Sequence, residues 1–117
     1  MTRTLTLGAV VIALTLSQPA HAAEPWTPDD VHEAMRTASP RAQCVVTQEI
    51  GGRGFDPYAV GAQGELGPVQ LHPQGLLNDF YRKGGTDPFS PYQAILYFEA
   101  MDQAGVASQH WPTLAAC

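Results

Sequence analysis

The chain has 117 residues, and its 6 basic and 11 acidic residues give a net charge of −5 at neutral pH. Because nucleic-acid binding relies on clustered Lys and Arg, this balance argues against DNA, RNA and anionic membrane surfaces as ligands. The length suits one small domain, whose core is marginal unless a covalent cross-link supports it.

Residues 1–22 have the three parts of a secretory signal peptide. Arg3 supplies a positive charge, residues 5–16 are apolar or small, and small residues precede a cleavage site after Ala22. The apolar run is shorter than the roughly 20 residues that a membrane-spanning helix needs. We therefore expect cleavage, no membrane anchor afterwards, and one domain over residues 23–117 that is secreted, periplasmic or associated with the cell wall. A retained N-terminal anchor is the alternative.

Four helices are predicted from residues that cap helix starts and from apolar side chains at helical spacing. Their starts are Thr27-Pro28, Ser39-Pro40, Pro73-Gln74 and Ser90-Pro91. The second is expected to end at Gln48 or Glu49, where glycines follow. The fourth runs to about Ala104 and is expected to be the central core helix. The expected core residues are Leu76, Leu77, Phe80 and Tyr81 in the third helix, and Ile95, Leu96, Phe98 and Met101 in the fourth.

Residues 55–73 lack a helical pattern. Two short runs, residues 58–60 and 66–71, flank the turn-forming residues 61–64, which predicts a short irregular β-hairpin. The predicted fold class is therefore α+β, predominantly helical, in a single domain.

The two cysteines, Cys44 and Cys117, are expected to form a disulfide, because a pair of thiols outside the cytoplasm is more often oxidised than free. A metal site would need further soft ligands, and no histidine stands at zinc-like spacing from either cysteine. No metal or cofactor is expected. A nucleophilic thiol is the other alternative.

Glu49 is the first candidate for chemistry, because it shares a helix face with the apolar residues Ala42, Val45 and Val46. Partial burial and the negative end of the helix dipole would both raise the pKa of its carboxyl, toward the range that a general acid needs near neutral pH. The alternative is a glutamate turned to solvent at a helix end, which is the commoner environment of this residue type.

Three segments together resemble the lysozyme-like soluble lytic transglycosylase (SLT) domains. They are CVVTQE at residues 44–49, GFDPYAVG at 54–61 and GELGPVQLHP at 64–73. In that family a glutamate ends a helix, a loop with glycine follows, and a Gly-Leu-Met-Gln-like motif forms part of the glycan cleft. Glu49 matches the glutamate, residues 67–70 match the second motif, and residues 87–95 are similar to the entry into the third motif helix. The resemblance covers residues 40–112.

The resemblance implies a small lysozyme-like fold and a monomeric enzyme that cuts peptidoglycan between N-acetylmuramic acid and N-acetylglucosamine. Protonated Glu49 would act as the acid, and its carboxylate would then act as a base toward the sugar's 6-hydroxyl or toward water. Glu65 is expected in the cleft wall, Gln70 against an N-acetyl group, and Tyr58 against a sugar ring. The family uses one glutamate and no cofactor.

The chain departs from the family pattern where activity is concerned. Ile50 stands at the position of a serine that helps to orient the glutamate, and Pro68 removes a backbone donor from the second motif. Met101 stands at the position of a tyrosine that faces the glutamate, so Tyr97 or Tyr92 would have to act from another face. Two alternatives therefore stay open: an inactive lysozyme-fold module that binds cell-wall glycan, and an exported protein that serves a partner in an envelope secretion or conjugation assembly.

Overall fold

A computed structural model describes residues 25–117, so the predicted signal peptide lies outside the described residues. The helices of the described part are α1 (Pro28–Arg36), α2 (Pro40–Ile50), α3 (Leu76–Arg82), α4 (Pro91–Gln103) and α5 (Ala107–His110). A 3-10 turn at Gly51–Arg53 follows α2, and another at Pro112–Ala116 follows α5. None of the helices in residues 25–117 has the length and apolar character needed to span a membrane.

Three helix starts follow the capping residues that the sequence predicts. The hydroxyl of Thr27 accepts a hydrogen bond from the Asp30 N–H at 3.3 Å, and the Asp30 carboxylate accepts one from the Thr27 N–H at 2.8 Å. This reciprocal capping box begins α1. The hydroxyls of Ser39 and Ser90 likewise accept from first-turn N–H groups of α2 and α4. The predicted starts of α1, α2 and α4 are confirmed.

The hydrophobic core lies around α4, which contacts α1, α2 and α5. Ile95, Phe98 and Met101 are buried as predicted. Leu96 is 67% exposed and Tyr81 is 46% exposed, so the prediction that these two face the core is wrong. Each is apolar or aromatic but lies on the outer side of its helix, and an apolar residue beside the buried stripe cannot be told from a core residue by composition.

The end of α2 differs from the prediction. The helix includes Ile50, which is fully buried, and the backbone then continues through the 3-10 turn before it reverses at Gly54 with a φ of 68°. The α-helix therefore ends one residue later than the last predicted position, and the glycine with a positive φ is Gly54, whereas Gly51 keeps a right-handed φ of −59°. Because Ile50 takes the core position, Glu49 lies at the margin of the core with its side chain partly buried.

The predicted hairpin is reduced to two isolated antiparallel bridges, Val60–Leu66 and Leu66–Leu71. The Gly61 N–H donates to the Glu65 carbonyl at 2.8 Å and closes the turn between the first pair. Since the described residues hold no longer strand, the fold is predominantly helical, and the β part of the predicted α+β class is limited to these bridges.

Cys44 of α2 and Cys117 form the disulfide that the sequence predicts, with Cα atoms 5.9 Å apart. The 3-10 turn at Pro112–Ala116 packs against α2. The cross-link therefore holds the C-terminal segment beside the helix that carries Glu49.

Asp79 joins α3 to α4. Its carboxylate accepts hydrogen bonds from the Lys83 ammonium at 2.8 Å, the Tyr97 hydroxyl at 2.6 Å and the Arg82 guanidinium at 3.1 Å. These donors, Lys83 first, lower the pKa of Asp79 to about 2.

Replacement of both cysteines by alanine is expected to lower the free energy of unfolding by about 4 kcal/mol, because the bond closes a long loop in the unfolded chain. Guanidinium unfolding of the wild type and of the double variant measures the difference. Two free thiols in the intact mass of the exported wild-type protein would contradict the pairing.

Asp79→Asn is expected to reduce the loss of stability in acid. Because the pKa of Asp79 is about 2 in the folded protein and near 4 when unperturbed, its ionisation stabilises the fold fully above about pH 4. That contribution is lost as the pH falls from 4 toward 2. Thermal melts over this range should fall less steeply for the variant than for the wild type, and parallel curves would show that Asp79 does not act in this way.

Candidate functional site

Glu49 lies on the wall of a cleft of about 340 Å³. The cleft lies between the end of α2, the irregular segment (residues 55–73) and the C-terminal segment (residues 110–117). The polar side chains that line it are Glu49, Arg53, Glu65, Gln70, His72 and His110. The structure thus brings three of the residues predicted for the site, Glu49, Glu65 and Gln70, into one cavity.

The carboxyl of Glu49 has a raised pKa, and burial is the main cause. The negative charge of Glu65 raises the pKa further, whereas a hydrogen bond from Thr113 and the positive charge of Arg53 lower it. The Thr113 hydroxyl donates to Glu49 Oε2 at 2.9 Å. The direction of the shift, and burial as its cause, agree with the sequence-based expectation.

The second carboxyl of the cleft, that of Glu65, has a pKa shifted in the opposite direction. The backbone N–H of Glu65 itself is the main cause that lowers the pKa of this carboxyl, followed by the Gln63 N–H, which donates to Glu65 Oε1 at 2.9 Å. Of the two carboxyls, Glu49 therefore retains its proton to higher pH. Environments that move the pKa values of two carboxyls apart in this way are typical of a site that pairs a protonated acid with an ionised carboxylate.

Gly61 allows the side chains of Glu65 and Gln70 to enter the cleft. A Cβ atom at this position would collide with Glu65 Oε1 and would lie 2.6 Å from Gln70 Oε1. Any other residue would therefore displace Glu65, Gln70 or both.

The amide nitrogen of Gln70 binds the backbone of the irregular segment, and its amide oxygen is available in the cleft. Nε2 donates to the carbonyls of Ala59 and Gly67 at 3.0 and 2.9 Å. These two bonds use both amide hydrogens, so only Oε1 can meet a ligand. The φ of Gln70 is 53°, a left-handed conformation that these bonds support.

The other two predicted contacts, Tyr58 and Tyr97, do not line this cleft. The Tyr58 hydroxyl accepts a hydrogen bond from the Trp26 N–H at 3.1 Å, and its ring packs on Phe89 with centroids 5.1 Å apart. The Tyr97 hydroxyl is bound to Asp79, and burial together with this bond raises its pKa. We therefore leave both tyrosines out of the candidate site.

Sequence reasoning missed the residues that the C-terminal segment brings to the site. Thr113 lies 64 positions from Glu49 in the sequence, in a stretch without a recognisable motif, and His110 lies just before it. The cysteine pair was the available signal, since a bond from Cys44 to Cys117 sets the residues before Cys117 close to α2. Arg53 was also missed, and its guanidinium donates to the Val60 carbonyl at 2.9 Å as well as lining the cleft.

Comparison of the chain with family models, with characterised proteins and with solved structures finds no match. The resemblance to SLT domains therefore stays a prediction from the sequence motifs. Within residues 25–117, no group of three or more His, Cys, Asp or Glu side chains could hold a metal ion.

Glu65→Gln is expected to lower the pKa of Glu49, because it removes a nearby negative charge, and Arg53→Gln is expected to raise it. Carbon-13 NMR titration of the glutamate side chains measures both shifts. Arg36→Gln is the matched control, since Arg36 pairs with Glu33 on the exposed side of α1. Equal Glu49 titrations in all the variants would refute this electrostatic account of the cleft.

Proposed function

We propose that the protein is an exported peptidoglycan-cleaving glycosidase with Glu49 as its catalytic acid. The observation that carries the proposal is a partly buried carboxyl with a raised pKa on the wall of a cleft. General acids near neutral pH need such a pKa. The motif resemblance supplies the substrate class, and the predicted signal peptide would deliver the protein to the compartment that contains it.

The proposed reaction begins with transfer of the Glu49 proton to the glycosidic oxygen between N-acetylmuramic acid and N-acetylglucosamine. The bond from that oxygen to the anomeric carbon breaks, and positive charge develops on the sugar ring. The Glu49 carboxylate then removes a proton from the attacking group, which is the 6-hydroxyl of the same sugar or a water molecule. The first gives a 1,6-anhydro product and the second a hydrolysed one, and either restores the acid.

The other polar groups of the cleft suit this substrate. Glu65 is ionised at a pH at which Glu49 still carries its proton, so its negative charge would favour a cationic transition state. Gln70 Oε1 can accept a hydrogen bond from the N–H of an N-acetyl group, and the Arg53 guanidinium can pair with a carboxylate of the muramic acid or its peptide. The cleft volume of about 340 Å³ lies within the usual range of small-ligand sites, roughly 300–1,000 Å³.

A catalytically inactive module that binds cell-wall glycan is the second candidate. One observation favours it: within the described residues, no tyrosine lines the cleft, although the resemblance implies a tyrosine facing the glutamate. Under this hypothesis Arg53, Gln70 and Glu65 would bind glycan without turnover. A role for the fold in an envelope assembly stays an alternative from the sequence.

The exported protein is expected to release muropeptides from purified sacculi, detected by mass spectrometry. Glu49→Gln should reduce release by about 100-fold or more, because it removes the acid and keeps the shape of the side chain. Glu33→Gln, on the exposed side of α1, is the matched control and should retain activity.

Each outcome of this experiment separates the candidates. Release that survives Glu49→Gln would contradict the mechanism. Binding of the wild type to insoluble peptidoglycan without release would favour the inactive module, and neither binding nor release would contradict both candidates.

A further inference from the structure

We infer that Thr113 is a positioning residue that holds the acid proton of Glu49 on the oxygen available to the substrate. This inference rests on the proposed function, because it concerns how Glu49 acts as an acid. It starts from one contact, the hydrogen bond of 2.9 Å from the Thr113 hydroxyl to Glu49 Oε2.

The contact gives the two carboxyl oxygens of Glu49 different roles. Since Oε2 accepts the hydrogen bond from the Thr113 hydroxyl, the acid proton of Glu49 is placed on Oε1. Oε1 has no hydrogen-bond donor among residues 25–117 and belongs to a side chain that lines the cleft, so we assign to Oε1 the contact with the glycosidic oxygen. Thr113 thereby sets the direction in which the proton leaves.

The same contact also acts after proton transfer. A hydroxyl that donates to a carboxylate stabilises the charged form, and the Thr113 bond accordingly opposes the rise in the pKa of Glu49 that burial causes. The hydroxyl therefore helps Glu49 to release its proton while burial keeps the proton in place before the reaction.

The segment that carries Thr113 is fixed at both of its ends. On one side the Trp111 indole N–H donates to the Val69 carbonyl at 2.8 Å, in a fully buried contact. On the other side Cys117 is bonded to Cys44, which lies five residues, about 1.4 turns, before Glu49 on the same helix. Because donor and acceptor stand on elements that the disulfide joins, the hydroxyl is held in place before a substrate arrives.

The residue next to Glu49 cannot supply this hydroxyl. Ile50 follows it directly, and its side chain is fully buried in the core. Within the described residues, Thr113 is the one side chain that donates a hydrogen bond to Glu49.

Thr113→Val and Thr113→Ser separate the hydroxyl from the shape of the side chain. Valine removes the hydroxyl and keeps the branched shape, so the pKa of Glu49 should rise, whereas serine should leave it as in the wild type. On uncrosslinked glycan strands, kcat of the valine variant should fall about tenfold with KM unchanged. The alkaline limb of its pH profile should move to higher pH, since the limb follows the ionisation of Glu49.

The NMR titration of Glu49 distinguishes failure of this inference from failure of the proposed function. If the wild type releases no product, the proposed function fails, but a raised Glu49 pKa in the valine variant alone would still support the role of the hydroxyl. If the valine and wild-type proteins titrate alike, or if serine behaves like valine, the inference is overturned. Thr113→Ala gives the same titration test should the valine variant not fold, with thermal melts as the check.

Discussion

The bond between Cys44 and Cys117 joins the helix that carries Glu49 to the segment that closes the cleft beside it. A domain of this size has a marginal core, so a cross-link that constrains the unfolded chain matters to the whole fold. From the cross-linked segment, Trp111 reaches back through its indole N–H to the irregular segment. The three walls of the cleft are thus tied to one another by a covalent bond and a buried hydrogen bond.

Burial and hydrogen-bond partners shift the pKa values of Asp79 and Glu49 in opposite directions. Ionisation of Asp79 stabilises the fold, because three donors surround it and lower its pKa. Ionisation of Glu49 destabilises the fold, since burial raises its pKa and the cost grows as the pH rises from the unperturbed value through the raised one. A residue that makes the fold less stable when charged, and lies in a cleft, is more readily explained by function than by structure.

Local signals predicted much of the fold, and long-range contacts account for what they missed. The helix starts at Thr27, Ser39 and Ser90 were predictable because a cap depends on residues within one turn. The exposure of Leu96 was not, because it depends on which elements surround α4. In the same way the raised pKa of Glu49 followed from its place beside apolar residues. Its partner Thr113 comes from a distant segment, and in the sequence only the cysteine pair indicates that this segment lies beside α2.

Glu49 lies at the edge of the core, and burial raises the pKa of its carboxyl. Titration of the Glu49 side-chain carboxyl by carbon-13 NMR in the oxidised wild-type protein measures this pKa. We expect a midpoint above that of an unperturbed glutamate, about 4.3. A midpoint at or below that value would contradict this expectation, because the cleft would then hold two ordinary carboxylates and no acid.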